Sequence, residues 1–136
     1  MGTDLEQARL LLEQGEYTCV FYKAETARTF TQRGVKPLLE LLEAGEDLRG
    51  WSVADKVVGK AAAMLYVCMG VREVYAQVMS RAAENTLLRH GIAAQCSTLT
   101  ERIQNRRGDG LCPMEEAVWD VEDPKEALQI LKRKVG

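Results

Sequence analysis

Ser52-Val53-Ala54-Asp55-Lys56-Val57-Val58-Gly59-Lys60-Ala61-Ala62-Ala63 is the stretch whose reading decides the fold. Ser52 followed three residues later by Asp55 approximates a capping box. Beyond it Val57, Val58, Ala61, Ala62, Leu65 and Cys68 spread around most of a helical circumference. This pattern predicts a helix from Ser52 to about Met69, apolar enough to lie at the centre of the molecule. On that helix Lys56 and Lys60 stand four residues apart on one face, with Gly59 between them leaving room for a ligand or a neighbouring backbone.

Upstream, Leu5, Ala8, Leu11 and Leu12 recur at helical spacing from Asp4 to Gln14, and Gly15 is placed for a left-handed stop. The β-branched and aromatic run 17–23 and the segment 27–31, joined through Ala24-Glu25-Thr26, predict a hairpin. Pro37 suits the first turn of a leucine-rich helix over 37–44 that Gly45 ends. Downstream, Val71 to Met79 alternates as a strand, and Ser80 caps a helix through Leu88 that ends near His90-Gly91. Ile92 to Ser97 reads as a strand, Leu99 to Gln104 as a helical turn, and 105–110 as a loop. Pro113 with Glu115 and Glu116 opens another helix, and the last begins near Asp123-Pro124 and ends in Lys132, Arg133 and Lys134. The order implies one domain over residues 1–136, a three-layer α/β/α sandwich with a mixed sheet.

Composition narrows the function classes. A chain of 136 residues, 46% apolar and 28% charged, is ordinary globular material without an apolar run long enough to span a membrane. The acidic, amphipathic start lacks the features of a secretory signal, so a cytoplasmic location is expected. A net charge of −2 gives no general attraction for nucleic acid, and any phosphate binding has to be local. Four cysteines without a C-x-x-C pair indicate free thiols, and His90 is the only histidine. Chemistry that needs a histidine base has one candidate, and chemistry that needs two histidine ligands has none.

Three blocks, Arg33-Gly34-Val35-Lys36-Pro37-Leu38-Leu39, Asp55 to Ala63, and Asn105-Arg106 through Gly110-Leu111-Cys112-Pro113-Met114-Glu115, together resemble a bacterial family of unknown function with a cytidine deaminase-like fold. The resemblance spans nearly the whole chain. Zinc deaminases of that fold carry His or Cys with Glu at one central helix start and Pro-Cys-x-x-Cys at the next. Here the first place is filled around Asp55, Lys56 and Gly59, and Ser80 with Ala83 takes the spacing of the second, so no zinc set remains. Zinc-dependent deamination is therefore not expected, no cofactor is expected, and a homodimer is plausible by the same resemblance.

Two helix starts meeting at a cleft can still hold phosphate or carboxylate on free backbone N–H groups. The candidate ligand contacts are Arg33, Asp55, Lys56, Gly59, Lys60, Ser80, Asn105, Arg106 and Cys112. The arginines offer bidentate phosphate binding, or else belong to a basic loop. Asp55 is either a ligand-facing carboxylate and acceptor of covalent modification, or part of the Ser52 cap. Lys56 and Lys60 contact ligand or are simply solvated. Cys112, just before a helix start, is a nucleophile or an inert thiol without a paired histidine. Cys19, Cys68 and Cys96 fill the core, and Trp51 and Trp119 anchor a loop and a helix or stack a base. The leading expectation is a zinc-free protein that binds a nucleotide or an ADP-ribose-type phosphorylated small molecule. The alternatives are a transferase or hydrolase using Asp55, Lys60 or Cys112, and an interaction module that assembles through a sheet edge or an apolar helix face around a vestigial cleft.

Overall fold

The structure, a computed structural model, describes residues 3–32, 34–104, 108 and 110–135. Helix α1 (Asp4–Gln14) leads into the hairpin β1 (Cys19–Lys23) and β2 (Thr26–Phe30). The elements α2 (Lys36–Glu43), β3 (Ser52–Val58), α3 (Lys60–Met69), β4 (Glu73–Ser80), α4 (Arg81–Arg89) and β5 (Ala93–Thr100) follow. Helices α5 (Pro113–Val118) and α6 (Pro124–Val135) close the order. The sheet is mixed and five-stranded, in the order β2-β1-β3-β4-β5. β1 runs antiparallel to both neighbours, and β3, β4 and β5 run parallel.

The main departure from the sequence reading lies in its opening stretch. Ser52–Val58 is a strand at the middle of the sheet, and the helix begins only at Lys60, with Gly59 as its N-cap. The strand escapes a periodicity reading because it is packed from both sides. Val53 joins the cluster beneath α3, while Ala54 joins the cluster beneath α1. A strand buried on both faces shows an apolar run instead of strict alternation, and here that run continues into α3 without a gap. The capping box does not form, because the Ser52 hydroxyl donates to Glu73 Oε2 at 2.6 Å. Lys56 and Lys60 accordingly do not share a helix face; they lie on different elements.

Other local expectations hold or shift for identifiable reasons. Ala24 and Glu25 both take positive φ (48° and 65°), the backbone of a tight two-residue hairpin turn. Gly15 is extended (φ −100°, ψ 176°), not left-handed, and a Cβ there would run into the Tyr17 ring. Gly45 and Gly91 do take the left-handed conformation beyond their helices. The helical turn expected over 99–104 is absent: β5 continues to Thr100, and Gln104 bridges to Leu111.

Two clusters hold the layers together. Leu5, Ala8 and Leu12 of α1 pack on Val20, Ala54 and Tyr75 across one face of the sheet. The opposite face carries the larger core, in which Phe21, Val53, Val74 and Ala76 meet Met64, Leu65 and Tyr66 of α3, Leu87 of α4 and Leu131 of α6. Each fully buried leucine contributes roughly 1.5–3 kcal/mol. No helix of the described residues is long and apolar enough to cross a membrane.

Candidate functional site

At the C-terminal end of β3, where the chain turns through Gly59 into α3, a cleft of about 540 Å³ opens between the sheet, α2 and α5. The ends of parallel strands are where open α/β sheets commonly take ligands. Its walls are mainly apolar, from Val35, Pro37, Leu38, Ala61, Ala62 and Met114, with Cys19, Asp55, Lys56, Cys112 and Glu115 as the chemically active groups.

Asp55 is opposite Cys19 in the β1–β3 ladder. Tyr66, nearly two turns into α3, donates its hydroxyl proton to Asp55 Oδ2 at 2.6 Å. The Cys19 Sγ lies 3.3 Å from the same hydroxyl oxygen. The phenol has one proton and gives it to the carboxylate, so the thiol is the donor in the second contact. Burial pushes the Cys19 thiol well above its ordinary pKa, and the Asp55 charge adds to that shift, so Cys19 stays protonated and serves the chain as a donor. Desolvation raises the Asp55 pKa to about 6, against the opposing pull of the Tyr66 hydrogen bond. The other carboxylate oxygen, Oδ1, has a long contact of 3.4 Å from the Val57 N–H, and the backbone N–H groups of Val57 and Lys56 both favour the carboxylate against the larger effect of burial. Asp55 thus has one oxygen held in place and one with spare acceptor capacity at the cleft wall.

The N-terminus of α3 is already filled. Lys60 N–H donates to Glu115 Oε1 and Ala61 N–H to Glu115 Oε2, each at 2.7 Å. A carboxylate at a helix start is favoured by the dipole and satisfies two otherwise orphaned donors. Burial raises the Glu115 pKa, opposed by these backbone bonds and by the Lys60 charge. A Cβ on Gly59 would overlap the Glu115 carboxyl group, so glycine here makes room for a side chain of the protein itself.

The structure separates the residues singled out from sequence. Asp55, Lys56, Gly59 and Cys112 come together at the cleft. Lys60 is buried and points elsewhere, its Nζ donating to the Trp119 carbonyl at 2.7 Å with Glu122 at 3.8 Å. The expectation of a solvated or ligand-facing Lys60 is corrected by that anchoring. Ser80 caps α4, its Oγ accepting from Ala83 N–H at 3.1 Å, and is not among the cleft residues. The two helix starts therefore do not share one anion site. Arg33, Asn105 and Arg106 lie outside the described residues. Among the described residues, no group of three His, Cys, Asp or Glu side chains is placed to hold a metal ion.

Two residues of the site were not legible as such. Tyr66 is the one hydroxyl-bearing residue within the apolar run of α3, which was a usable signal. Glu115 carried only the signal of an acidic residue in the first turn of its own helix, whereas its partners lie 54 and 55 positions away.

A family model described as a domain of unknown function (DUF1893, TM1506) matches residues 7–135. The chain belongs to the DUF1893 family. It is similar to the crystal structure of a DUF1893 family protein (TM1506) from Thermotoga maritima, with 27% identity and a TM-score of 0.89, over 98% of this chain and 92% of that one. No curated protein matches the chain. The family assignment fixes the mixed α/β architecture and supplies no reaction, so the functional reading rests on the cleft.

Proposed function

We propose that this DUF1893 protein is a small-molecule binding protein of cytidine deaminase-like, three-layer architecture without a zinc centre. Its cleft takes a nucleotide or a related phosphorylated ligand of the ADP-ribose type. One observation carries the reading: a fixed carboxylate with a spare acceptor oxygen stands among apolar walls in a cleft of about 540 Å³, a size suited to a small ligand. Ribose hydroxyls or a base amino group would donate to Asp55 Oδ1. A ring would pack on Val35, Leu38, Ala62 and Met114.

Phosphate has to lie away from α3, because Glu115 holds that terminus. Lys56, exposed at the cleft, is the cation within the described site. The layers support the architecture: α1 covers one sheet face, the α3 core the other, and β3-β4-β5 are parallel.

Thermal-shift titration with ADP-ribose, ADP and adenosine tests the reading. A ligand at about 100 times its Kd stabilises by about 2.7 kcal/mol. Asp55→Asn should weaken all three, and Lys56→Ala only the phosphorylated two. The absence of stabilisation by any of them at 10 mM would overturn the reading.

A second reading has one observation in its favour. A carboxylate titrating near 6 and oriented by a tyrosine suits a general base or a nucleophile, so Asp55 could serve a transferase or hydrolase step. Lys60 drops out as a nucleophile because its ammonium is anchored to Trp119 and Glu122. Intact-mass spectrometry of the purified protein separates the two readings, since a covalent adduct on Asp55 or Cys112 would favour chemistry.

A further inference from the structure

Asp55 can take a proton on only one of its two oxygens without undoing the contacts around it. Oδ2 accepts the Tyr66 hydroxyl proton at 2.6 Å, and the Tyr66 oxygen accepts from the Cys19 thiol at 3.3 Å. To protonate Oδ2 this chain would have to run backwards, with the phenol passing its hydrogen to the Cys19 sulfur, a weak acceptor. Oδ1, at the cleft wall, is less committed. The Val57 N–H reaches it at 3.4 Å, beyond the range of a strong hydrogen bond, and the Lys56 N–H has the Thr18 carbonyl as its partner at 3.1 Å. The oxygen that gains the proton is therefore the one a ligand meets. As a carboxylate, Asp55 presents an acceptor to the cleft; as a carboxylic acid it presents an O–H donor.

The groups that face Asp55 leave this change to Asp55 itself. From β1, burial keeps the Cys19 thiol protonated, and from α3 burial and the Asp55 charge push the Tyr66 phenol well above its ordinary pKa. From α5 come Cys112 and Glu115, and Glu115 has both oxygens engaged by the N–H groups of Lys60 and Ala61. α2 brings Pro37 and Leu38 to the cleft and β4 sets Ala76 opposite Asp55 in the ladder, none of which titrates. Lys56 is the adjoining cation on β3. Burial raises Asp55 to about 6, so both of its forms are populated in weakly acidic solution.

We propose that the cleft reverses its hydrogen-bonding polarity with pH: ionised Asp55 selects ligands that bring a donor, such as a base amino group, and protonated Asp55 selects ligands that bring an acceptor, such as a ring nitrogen. This selection rests on the cleft being a nucleoside-type site, and it adds the kind of ligand edge that the site takes. A mismatch is costly there, because a desolvated donor or acceptor that meets its own kind goes unpaired. Asp55→Asn should lock one polarity. With Tyr66 holding the amide oxygen, the amide NH2 group faces the cleft at every pH.

Adenosine and purine riboside, which differ only in the base amino group, test the proposal by NMR titration at pH 5 and pH 7. Neither carries a phosphate, so Lys56 plays no part in the difference, and neither changes charge over this range. The ionised fraction of Asp55 falls about tenfold from pH 7 to pH 5, and the apparent affinity of a ligand confined to one form follows that form's population. The affinity ratio of adenosine to purine riboside should therefore fall at least about tenfold. In Asp55→Asn the ratio should favour purine riboside and stay the same at both pH values, which separates Asp55 from Glu115 as the titrating group. A ratio that does not fall in the unmodified protein would overturn the proposal while leaving the cleft reading in place, and so would a fall that persists in folded Asp55→Asn. If neither probe binds at either pH, the cleft reading itself is overturned and the proposal with it.

Discussion

The N-termini of α3 and α4 follow adjacent parallel strands, and they are capped in opposite ways. Ser80 caps α4 from the adjoining position, by a bond to Ala83 N–H. Gly59 brings no side chain to α3, whose first N–H groups are taken by Glu115 from α5. A local cap steadies its own helix and nothing else. The remote cap ties α5 to α3, forms part of the cleft wall, and removes the positive helix end from competition for a ligand's anion. In the proposed reading, the fold that could have offered two anion sites leaves polar recognition to Asp55.

Substitutions at the two termini should differ accordingly. The largest effect is expected for Glu115→Ala, which strips the acceptor from two buried N–H groups. A loss of about 3 kcal/mol in denaturant unfolding follows from leaving such groups unpaired. Gly59→Ala comes next, at about 2 kcal/mol, because its methyl overlaps the Glu115 carboxyl group. In a Glu115→Ala background the Gly59→Ala loss should shrink by about 1 kcal/mol, a coupling that a double-mutant cycle reads directly. Ser80→Ala should remove about 1 kcal/mol, the usual worth of an N-cap, without coupling to Glu115.

The smallest effect concerns pH. The Asp55 pKa rises from 3.8 to about 6 on folding, so the folded chain binds more protons between those values. Stability contributed by the protonated group is therefore present below pH 4 and lost as pH rises through 6. Because the carboxylate is only half-buried at the cleft, the loss is discounted to the order of 1 kcal/mol or less. Glu115, also raised by burial, acts in the same direction, so the difference between unmodified protein and Asp55→Asn isolates the Asp55 share. Chemical unfolding at pH 4, 5, 6 and 7 measures it.

The same contrast explains what the sequence disclosed. Features settled by near neighbours were legible: the hairpin through Ala24 and Glu25, the Ser80 cap, the helix end near His90-Gly91, and the helix begun by Pro113. Features settled by tertiary packing were not. β3 lies between two apolar layers and so lost the alternation that marks a strand, and its Ser52-x-x-Asp55 spacing imitated a helix start. At the site, Asp55, Lys56, Gly59 and Cys112 line one cleft. Lys60 and Ser80 were not cleft groups, because each meets a need of the fold. Glu115 was invisible because its hydrogen-bond partners are distant in the chain, and Gly59 was read as room for a ligand when the occupant is that carboxylate.

The central claim is that the cleft binds ligand at Asp55 while Glu115 keeps the α3 terminus closed. Amide NMR during titration with ADP-ribose tests it most directly. The account predicts the largest shifts at Cys19, Asp55 and Val57, with Lys60 and Ala61 nearly still until Glu115 is replaced by alanine. Dominant shifts at Lys60 and Ala61 in the unmodified protein, with Asp55 unmoved, would contradict it.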